Sequence, residues 1–161
     1  MRKITNPYVG LEGYRCFACS PDNQLGLQMN FFEEGDDICC EWKPKDYFQG
    51  YRDMLHGGIQ ATLLDELAAW TVSVKLGTSG VTTRLDIRFR NPVLVTAEKI
   101  ILRARLVKVE KRIASVEAEL FDDKGKLCSG GICEYFILPE EKARKEFYYP
   151  GKEKFFEEGN P

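Results

Sequence analysis

Two kinds of hydrophobic pattern divide the chain into predicted strands and one predicted helix. In Leu25–Glu33 every second residue is apolar, and Val81–Arg90 shows the same period of two, which is the pattern of a half-buried strand. With the turn residues between them, six stretches are predicted to be strands: Leu25–Glu33, Ile38–Lys43, Val81–Arg90, Lys99–Glu110, Ile113–Phe121 and Lys126–Leu138.

One stretch, Gly57–Leu76, lacks this alternation and predicts a long helix. It contains no proline and is rich in alanine and leucine, which favour helix. Its apolar residues lie almost all round the helix, so the helix must be buried on nearly every face. Gly77 follows as the expected C-terminal cap, and at about 1.5 Å per residue the helix is about 30 Å long.

The predicted order of elements is β-β-α-β-β-β-β. It indicates an α+β architecture, with one long helix packed against a single antiparallel sheet. Residues 1–24 form a predicted irregular segment, residues 25–138 the folded domain, and residues 139–161 a tail that is dense in charge and aromatic rings. The tail either packs its rings against the domain, as a helix or an arm, or serves as a docking or lid segment.

Composition limits the classes of function. The chain has 161 residues, 43% of them hydrophobic, which suits one folded domain and not a disordered chain. Its 23 Lys and Arg nearly balance 25 Asp and Glu, so the chain lacks the basic excess of a nucleic-acid binder. No apolar run approaches the roughly 18 residues of a membrane span, and Met1–Gly10 has no apolar signal segment. We therefore expect no membrane partner and a cytoplasmic protein.

Six cysteines and one histidine limit the metal chemistry. Without an export signal the cysteines are expected to be buried structural thiols. Cys16 and Cys19 have the spacing of a zinc knuckle, but a closed zinc site needs two further ligands and the sequence has no second such pair. A zinc site and a redox pair are the alternatives there. His56 is the only histidine, which excludes a multi-histidine site, and the sequence predicts neither a metal nor a cofactor.

The stretch that carries chemistry begins at this histidine. His56-Gly57-Gly58 starts the predicted helix, and an acid, Asp65, stands eight residues after Gly57. The pattern also includes Cys16-Phe17-Ala18-Cys19, Pro21-Asp22-Asn23, Gly26-Leu27, Phe48-Gln49-Gly50-Tyr51, Thr82 and Arg90-Asn91-Pro92. This combination, which covers roughly residues 14–138, resembles the hotdog-fold thioesterases of the phenylacetate-pathway and 4-hydroxybenzoyl-CoA type.

The resemblance implies a hotdog fold, in which an antiparallel sheet wraps one long central helix, and hydrolysis of an acyl-CoA to a free acid and CoA. It implies that the Gly57 N–H binds the thioester carbonyl and that His56 borders the thioester. Physical chemistry agrees, because the first turn of a helix combines unpaired N–H groups with the positive end of the helix dipole, as an oxyanion hole requires. Gly57 and Gly58 let a ligand approach the backbone closely, although tight helix–sheet packing would also explain them.

Asp65 is the predicted catalytic acid. It lies inside the apolar helix, and its neighbours three and four positions away are alanines and one threonine. A carboxylate in such surroundings is costly unless it is solvated or paired, and the small neighbours leave room for a substrate. The adjacent Glu66 points about 100° away around the helix, is expected to be paired or solvated, and is the alternative acid.

Gly57 and Asp65 are too far apart to serve one carbonyl from one helix. Eight residues correspond to about 12 Å along the axis, whereas a nucleophile or base must lie within about 3–3.5 Å of its target. Antiparallel helices of two copies would bring Gly57 of one beside Asp65 of the other. The sequence therefore predicts a two-fold homodimer with two composite sites, and the resemblance implies the same. Whether two dimers pair into a tetramer stays open.

Two further positions concern the water or the carboxylate. Thr82 matches a position where the resembling enzymes have a serine or threonine that positions the water or the carboxylate. Strict alternation places Thr82 on the polar face of its strand, opposite the core face that holds Thr83. An ordinary strand threonine is the alternative. Gly50 stands where those enzymes often have Asn or Gln, so either the adjacent Gln49 takes this role or the role is vacant.

The remaining predicted contacts concern the substrate, an acyl-CoA. Gln49, Gly58 and Thr83 are expected to contact it, and Arg84 and Arg90 to meet the CoA phosphates, unless these arginines only form a solvated face. Two other functions stay open. The protein could bind acyl-CoA without turnover, which the departure at Gly50 favours, or it could be a hotdog dehydratase, which would pair its histidine with an acid in a different local motif.

Overall fold

The computed structural model of the protein describes residues 1–156, and positions 157–161 of the predicted tail lie outside the described residues. The strands are β1 (Arg2–Ile4), β2 (Phe31–Glu34), β3 (Asp37–Trp42), β4 (Gly80–Phe89), β5 (Ile100–Glu110), β6 (Ile113–Phe121) and β7 (Leu127–Ile137). The helices are α1 (Gly57–Leu76) and α2 (Glu140–Phe147), with short 3-10 turns at Asp46–Phe48 and Lys152–Phe155. The α+β architecture is confirmed, because one antiparallel sheet of order β1-β2-β3-β5-β6-β7-β4 packs on α1.

Helix α1 has the predicted bounds, and its 20 residues end at Gly77, which adopts the left-handed conformation with φ 69°. Leu63, Leu64 and Leu67 are completely buried against the sheet, which contacts the helix through β3 to β7. Burial on nearly every face follows from the apolar residues all round the helix. None of the helices in the described part of the chain has the length and apolarity needed to cross a membrane.

The first predicted strand is wrong over most of its length, because β2 begins only at Phe31. Leu27 and Met29 are buried as the alternation predicted. Their N–H groups, however, donate to the carbonyl oxygens of Phe17 and Ala18, at 2.8 and 2.9 Å, and so join the N-terminal segment instead of the sheet. The sheet gains instead β1, a strand of three residues that pairs with β2 and lies in the segment predicted to be irregular.

The described part of the tail packs on the domain. Tyr149 and Phe155 are buried, and the Tyr149 hydroxyl donates to the Ser73 carbonyl on α1 at 3.0 Å. The Phe155 carbonyl accepts the Thr5 N–H at 2.8 Å, which ties the described part of the tail to the N-terminal segment. These contacts favour the interpretation of the tail as a packed arm.

Strand β4 forms one edge of the sheet, and among the described residues it pairs with β7 alone. Its register shifts between Thr82 and Arg84, where Thr83 is the extra residue of a β-bulge. Val81, Leu85 and Phe89 leave 43%, 40% and 55% of their surface exposed along this edge. An edge strand with an unpaired backbone and exposed apolar side chains is a template for pairing with a second chain.

Candidate active site

A groove of about 810 Å³ opens at the start of α1. Its walls are the segment that leads into the helix and the end of β4, and its lining residues are Gln49, Gly50, Tyr51, Met54, Leu55, His56, Gly57, Gln60, Phe89, Arg90, Asn91 and Pro92. A concave, largely apolar surface with a few polar groups is the usual form of a small-molecule site.

The helix start presents one free backbone donor to this groove. The His56 side chain caps the helix, since its Nδ1 accepts the Gly58 N–H at 2.9 Å. This bond uses up the Gly58 donor and leaves Nε2 as the protonated nitrogen of a neutral imidazole. For the Gly57 N–H, no hydrogen-bond partner occurs anywhere in residues 1–156. Of the two glycines, Gly57 is therefore the one that can bind a ligand oxygen.

The segment before the helix explains the glycine at position 50. A Cβ atom on Gly50 would lie 3.2 Å from Cδ2 of His56, so the absence of a side chain makes room for the imidazole ring. The neighbouring Gln49 also lines the groove, and its Oε1 accepts the Asp53 N–H at 2.8 Å. The Gln49 oxygen is thus used to hold the turn that leads into α1.

Asp65 is held by two hydroxyl groups on the sheet. Its Oδ1 accepts hydrogen bonds from Thr82 Oγ1 at 2.9 Å and from Tyr135 Oη at 2.6 Å. The Tyr135 hydroxyl lies at 2.7 Å from the Asp65 carbonyl oxygen as well. The other carboxylate oxygen, Oδ2, has no hydrogen-bond partner within the described residues. One oxygen is therefore fixed and the other is available to a reactant.

Tyr135 was not predicted from the sequence. It is fully buried, and burial together with the negative charge of Asp65 raises the pKa of its phenol, so it stays a donor. A signal was present: Tyr135 lies in the predicted strand Lys126–Leu138, and a buried tyrosine normally finds a partner for its hydroxyl. The sequence alone did not say that this partner is Asp65.

The predicted face of Thr82 is wrong. Strict alternation predicts that Thr82 and Leu85 lie on different faces of β4, whereas the Thr82 hydroxyl contacts Asp65 on α1. The bulge at Thr83 causes the difference, because one extra residue reverses the facing of everything before it. In the pairing of β4 with β7, Thr82 is the partner of Tyr135 and Leu85 is the partner of Cys133. Tyr135 and Cys133 are both buried, so Thr82 and Leu85 lie on the same face.

Only some of the residues predicted to contact the substrate lie at the groove. Arg90 lines the groove, whereas Thr83 and Arg84 of this chain do not. The Thr83 hydroxyl donates to the Glu134 carbonyl at 3.0 Å, and Arg84 forms an exposed ion pair with Asp86 at 3.5 Å.

Glu66 is paired, as expected for the alternative acid. Its Oε1 accepts the Trp70 indole N–H at 3.0 Å and lies 3.5 Å from Cys16 Sγ. Within residues 1–156, Cys16, Cys19 and Glu66 are the single group of three or more residues that could hold a metal ion. None of the three lines the groove.

One chain keeps the two halves of the site apart. Asp65 is absent from the lining of the groove that contains Gly57. Both residues lie on α1, eight positions or about 12 Å apart along the axis. In a single copy, an oxygen bound at Gly57 is therefore out of reach of the Asp65 carboxylate.

Comparison with known proteins finds similar sequences among thioesterases. The model of the Thioesterase superfamily matches residues 53–129, which include α1 and β4. Acyl-coenzyme A thioesterase 13 of Mus musculus is 28% identical over 98 residues, which cover 60% of this chain and 69% of that protein.

Two solved structures illustrate the shared fold. The protein smu.793 of Streptococcus mutans, bound to acetyl CoA, superposes with a TM-score of 0.66 at 17% identity, covering 81% of this chain and 98% of that one. The BH2602 protein of Bacillus halodurans, with CoA, gives 0.58 at 26% identity, covering 67% and 71%. By its sequence match over residues 53–129 this chain is similar to the Thioesterase superfamily, and it has the hotdog fold.

Proposed function

We propose that the protein is an acyl-CoA thioesterase, which hydrolyses a CoA thioester to a free acid and CoA at a site shared by two subunits. The observation that carries this proposal is the unpaired N–H of Gly57 at the positive end of α1, on a residue that lines a groove of about 810 Å³. The names of relatives such as acyl-coenzyme A thioesterase 13 support it.

The thioester carbonyl oxygen binds the Gly57 N–H. Negative charge develops on this oxygen as the carbonyl is attacked, and a fixed N–H at a helix start stabilises it. His56 holds the geometry, because its Nδ1 takes the Gly58 N–H and its ring rests on Gly50. Its Nε2–H then borders the thioester.

Asp65 of the second subunit acts on the carbonyl carbon. Thr82 and Tyr135 both donate to Oδ1, which orients the carboxylate and leaves Oδ2 to react. Oδ2 either attacks the carbonyl directly, forming an anhydride that water hydrolyses, or takes a proton from an attacking water. In both routes the sulfur of CoA leaves and a carboxylic acid forms.

The dimer forms through the β4 edge. Val81, Leu85 and Phe89 leave 40% to 55% of their surface exposed there, and the backbone of this edge has no partner strand among the described residues. Two-fold pairing of β4 with its copy sets the two α1 helices antiparallel. This arrangement places Asp65 of one subunit beside Gly57 of the other.

The CoA phosphates lie at the mouth of the groove. Arg90 lines it directly after the end of β4, and Arg84 stands on β4, close to the subunit interface proposed above. We also propose that the protein belongs to the thioesterase superfamily and, within it, to the phenylacetate-pathway and 4-hydroxybenzoyl-CoA type, on His56-Gly57-Gly58 and the acid at position 65. Tyr51, Met54 and Phe89 give the groove apolar walls for an acyl group.

A thioester panel with thiol detection tests the proposal. Aromatic and aliphatic acyl-CoA esters of graded length should include at least one that releases CoA. Asp65→Asn keeps the shape of the side chain and should lower kcat by about 10²–10⁴, the usual contribution of a general base. Asp36→Asn, in the exposed turn between β2 and β3, is the matched control and should retain the wild-type kcat. Wild-type turnover by Asp65→Asn would disprove the catalytic assignment.

One observation favours a second candidate, an acyl-CoA-binding protein without turnover. The Gln49 oxygen is used by the Asp53 N–H and Gly50 offers no side-chain amide, so positions 49 and 50 give an attacking water no free amide oxygen. Saturable binding of acyl-CoA with no CoA release across the whole panel would select this function over hydrolysis.

A further inference from the structure

Cys16 and Cys19 form a close thiol pair at a site separate from the groove at Gly57. Their sulfur atoms are 3.0 Å apart, and Cys16 Sγ also accepts the Cys19 N–H at 3.3 Å. The two sulfurs and a carboxylate oxygen of Glu66 all lie within 4.8 Å of one another. Both cysteines are free thiols in this structure.

The hydrogen bonds around the pair all run in one direction. The Asn6 amide donates to the Tyr14 hydroxyl at 3.0 Å, which leaves the hydroxyl proton for Cys19 Sγ, also at 3.0 Å. The Cys19 thiol donates in turn to Cys16, and the Cys16 thiol points to Glu66 Oε1 at 3.5 Å. Cys16 is thus the sulfur that accepts hydrogen bonds and has a carboxylate beside it to take its proton.

This arrangement makes the two thiols unequal. The hydrogen bond from the Cys19 side chain lowers the pKa of Cys16 against the opposing effects of burial and of the negative charge of Glu66. The same hydrogen bond, together with burial, raises the pKa of Cys19. Cys16 is also the more accessible of the two, because it is half-buried whereas Cys19 is 5% exposed. A thiolate beside a protonated, buried partner is the usual design of a reactive dithiol.

A second groove gives reagents access to the pair. It has a volume of about 460 Å³, and Tyr8, Tyr14, Trp70 and Tyr148 line it together with both cysteines. The other four cysteines, Cys39, Cys40, Cys128 and Cys133, are buried and line neither groove. An aromatic groove above one reactive sulfur suits a small organic molecule better than a bare ion.

The geometry argues against a tetrahedral zinc site. Two thiolates at about 2.3 Å from zinc would be about 3.8 Å apart, compared with 3.0 Å here. The described residues supply three ligands, one fewer than a closed structural site requires.

We propose that Cys16 and Cys19 are a reversible dithiol–disulfide site that reacts with small organic disulfides entering the aromatic groove. This inference is independent of the proposed thioesterase activity, because neither cysteine lines the groove at Gly57.

The exchange proceeds in two balanced steps. The Cys16 thiolate attacks one sulfur of the small disulfide, so a Cys16–S–S–R bond forms, the original S–S bond breaks and one thiolate leaves. The Cys19 sulfur then attacks Cys16 Sγ, forms the Cys16–Cys19 bond and releases the second thiolate. The protein loses two electrons, the small disulfide gains them, and the two thiol protons finish on the two released thiols. Glu66 is the nearby base that can relay these protons.

Intact-protein mass spectrometry with glutathione disulfide as the probe tests the proposal. The folded wild-type protein should lose the mass of two hydrogens and retain no adduct, with two fewer thiols open to alkylation. Cys19→Ser should trap glutathione on residue 16, and Cys19→Ala should trap the same adduct without a polar atom at that position. Cys16→Ser should form neither product, while Cys39→Ser, the control on β3, should react as the wild type does.

Rates and metal content complete the test. In the wild type, Cys16 should react on the order of tenfold or more faster than the other cysteines, because its thiolate fraction is larger. Glu66→Gln, which keeps an acceptor for the Trp70 indole, should slow closure of the disulfide. A wild-type protein that forms no Cys16–Cys19 disulfide overturns the proposal. So does one equivalent of zinc that is lost in Cys16→Ser and protects both thiols.

Discussion

A subunit-mixing experiment tests whether the reaction centre is shared between two copies. Two separately purified variants are mixed, Asp65→Asn and Gly57→Pro. The proline removes the N–H donor. Proline suits the first position of a helix, where the N–H has no intrahelical partner. His56, the preceding residue, already has ψ 135°, in the extended range that a residue before proline prefers. Gly57→Pro should therefore fold.

Gly57→Ala is the matched control for side-chain volume. A Cβ atom at this position would meet only Phe89, at 3.6 and 3.8 Å, which is ordinary van der Waals contact. The alanine keeps the N–H and should keep most of the turnover. Gly57→Pro should lower kcat by about 10²–10³, the measured worth of one oxyanion-hole donor in other enzymes.

Mixed dimers give the decisive number. After the two inactive proteins exchange subunits at random, half of the dimers contain one copy of each. In a shared arrangement, one site of each mixed dimer has lost both groups and the other has both intact, so about a quarter of wild-type activity returns. If Gly57 and Asp65 of the same chain served one site, every site would carry one defect and nothing would return.

The assay is CoA release at saturating acyl-CoA, before and after exchange of differently tagged subunits. Each variant exchanged with itself is the control for activity regained by refolding. Mixed dimers that are isolated on both tags, yet stay as inactive as their parents, would refute the shared site.

Two further substitutions test the parts of this site. Tyr135→Phe removes a hydrogen bond to a carboxylate, worth about 1.5–3 kcal/mol, and should lower kcat roughly ten- to hundredfold. Tyr149→Phe is its control, since it removes a similarly buried hydroxyl from a backbone carbonyl of α1 and should cost stability in urea unfolding but leave kcat unchanged. Leu85→Lys puts a charge on the exposed β4 edge and should give an inactive monomer in analytical ultracentrifugation, whereas Val107→Lys on β5 should remain a dimer.

The central helix could be predicted from the sequence because several signals coincide over 20 residues. The absence of alternation, the alanine and leucine content and the terminal Gly77 all favour the same element. Strand β1 has only three residues, and its place depends on pairing with β2, which no local pattern records. Local signals therefore predicted the helix, and tertiary pairing decided the short strand.

The stretch before β2 shows a limit of hydrophobic alternation. Leu27 and Met29 are buried at alternate positions, as in a strand. Their N–H groups nevertheless bond to Phe17 and Ala18, whose backbone passes beside them. Alternation reports which side chains are buried, and it does not report which backbone accepts the hydrogen bonds.

The same distinction decides how the candidate site is built. If β4 alternated without interruption, Thr82 would face away from α1. Because Thr83 is the extra residue of a bulge, Thr82 faces α1 instead. The Thr83 hydroxyl donates to the Glu134 carbonyl on β7, a contact between two strands that no periodicity shows. Because Thr82 then stands opposite Tyr135, both hydroxyls reach the same oxygen of Asp65. One inserted residue in an edge strand thus brings together a carboxylate and the two donors that bind it, while the outer edge of the strand has no partner among the described residues.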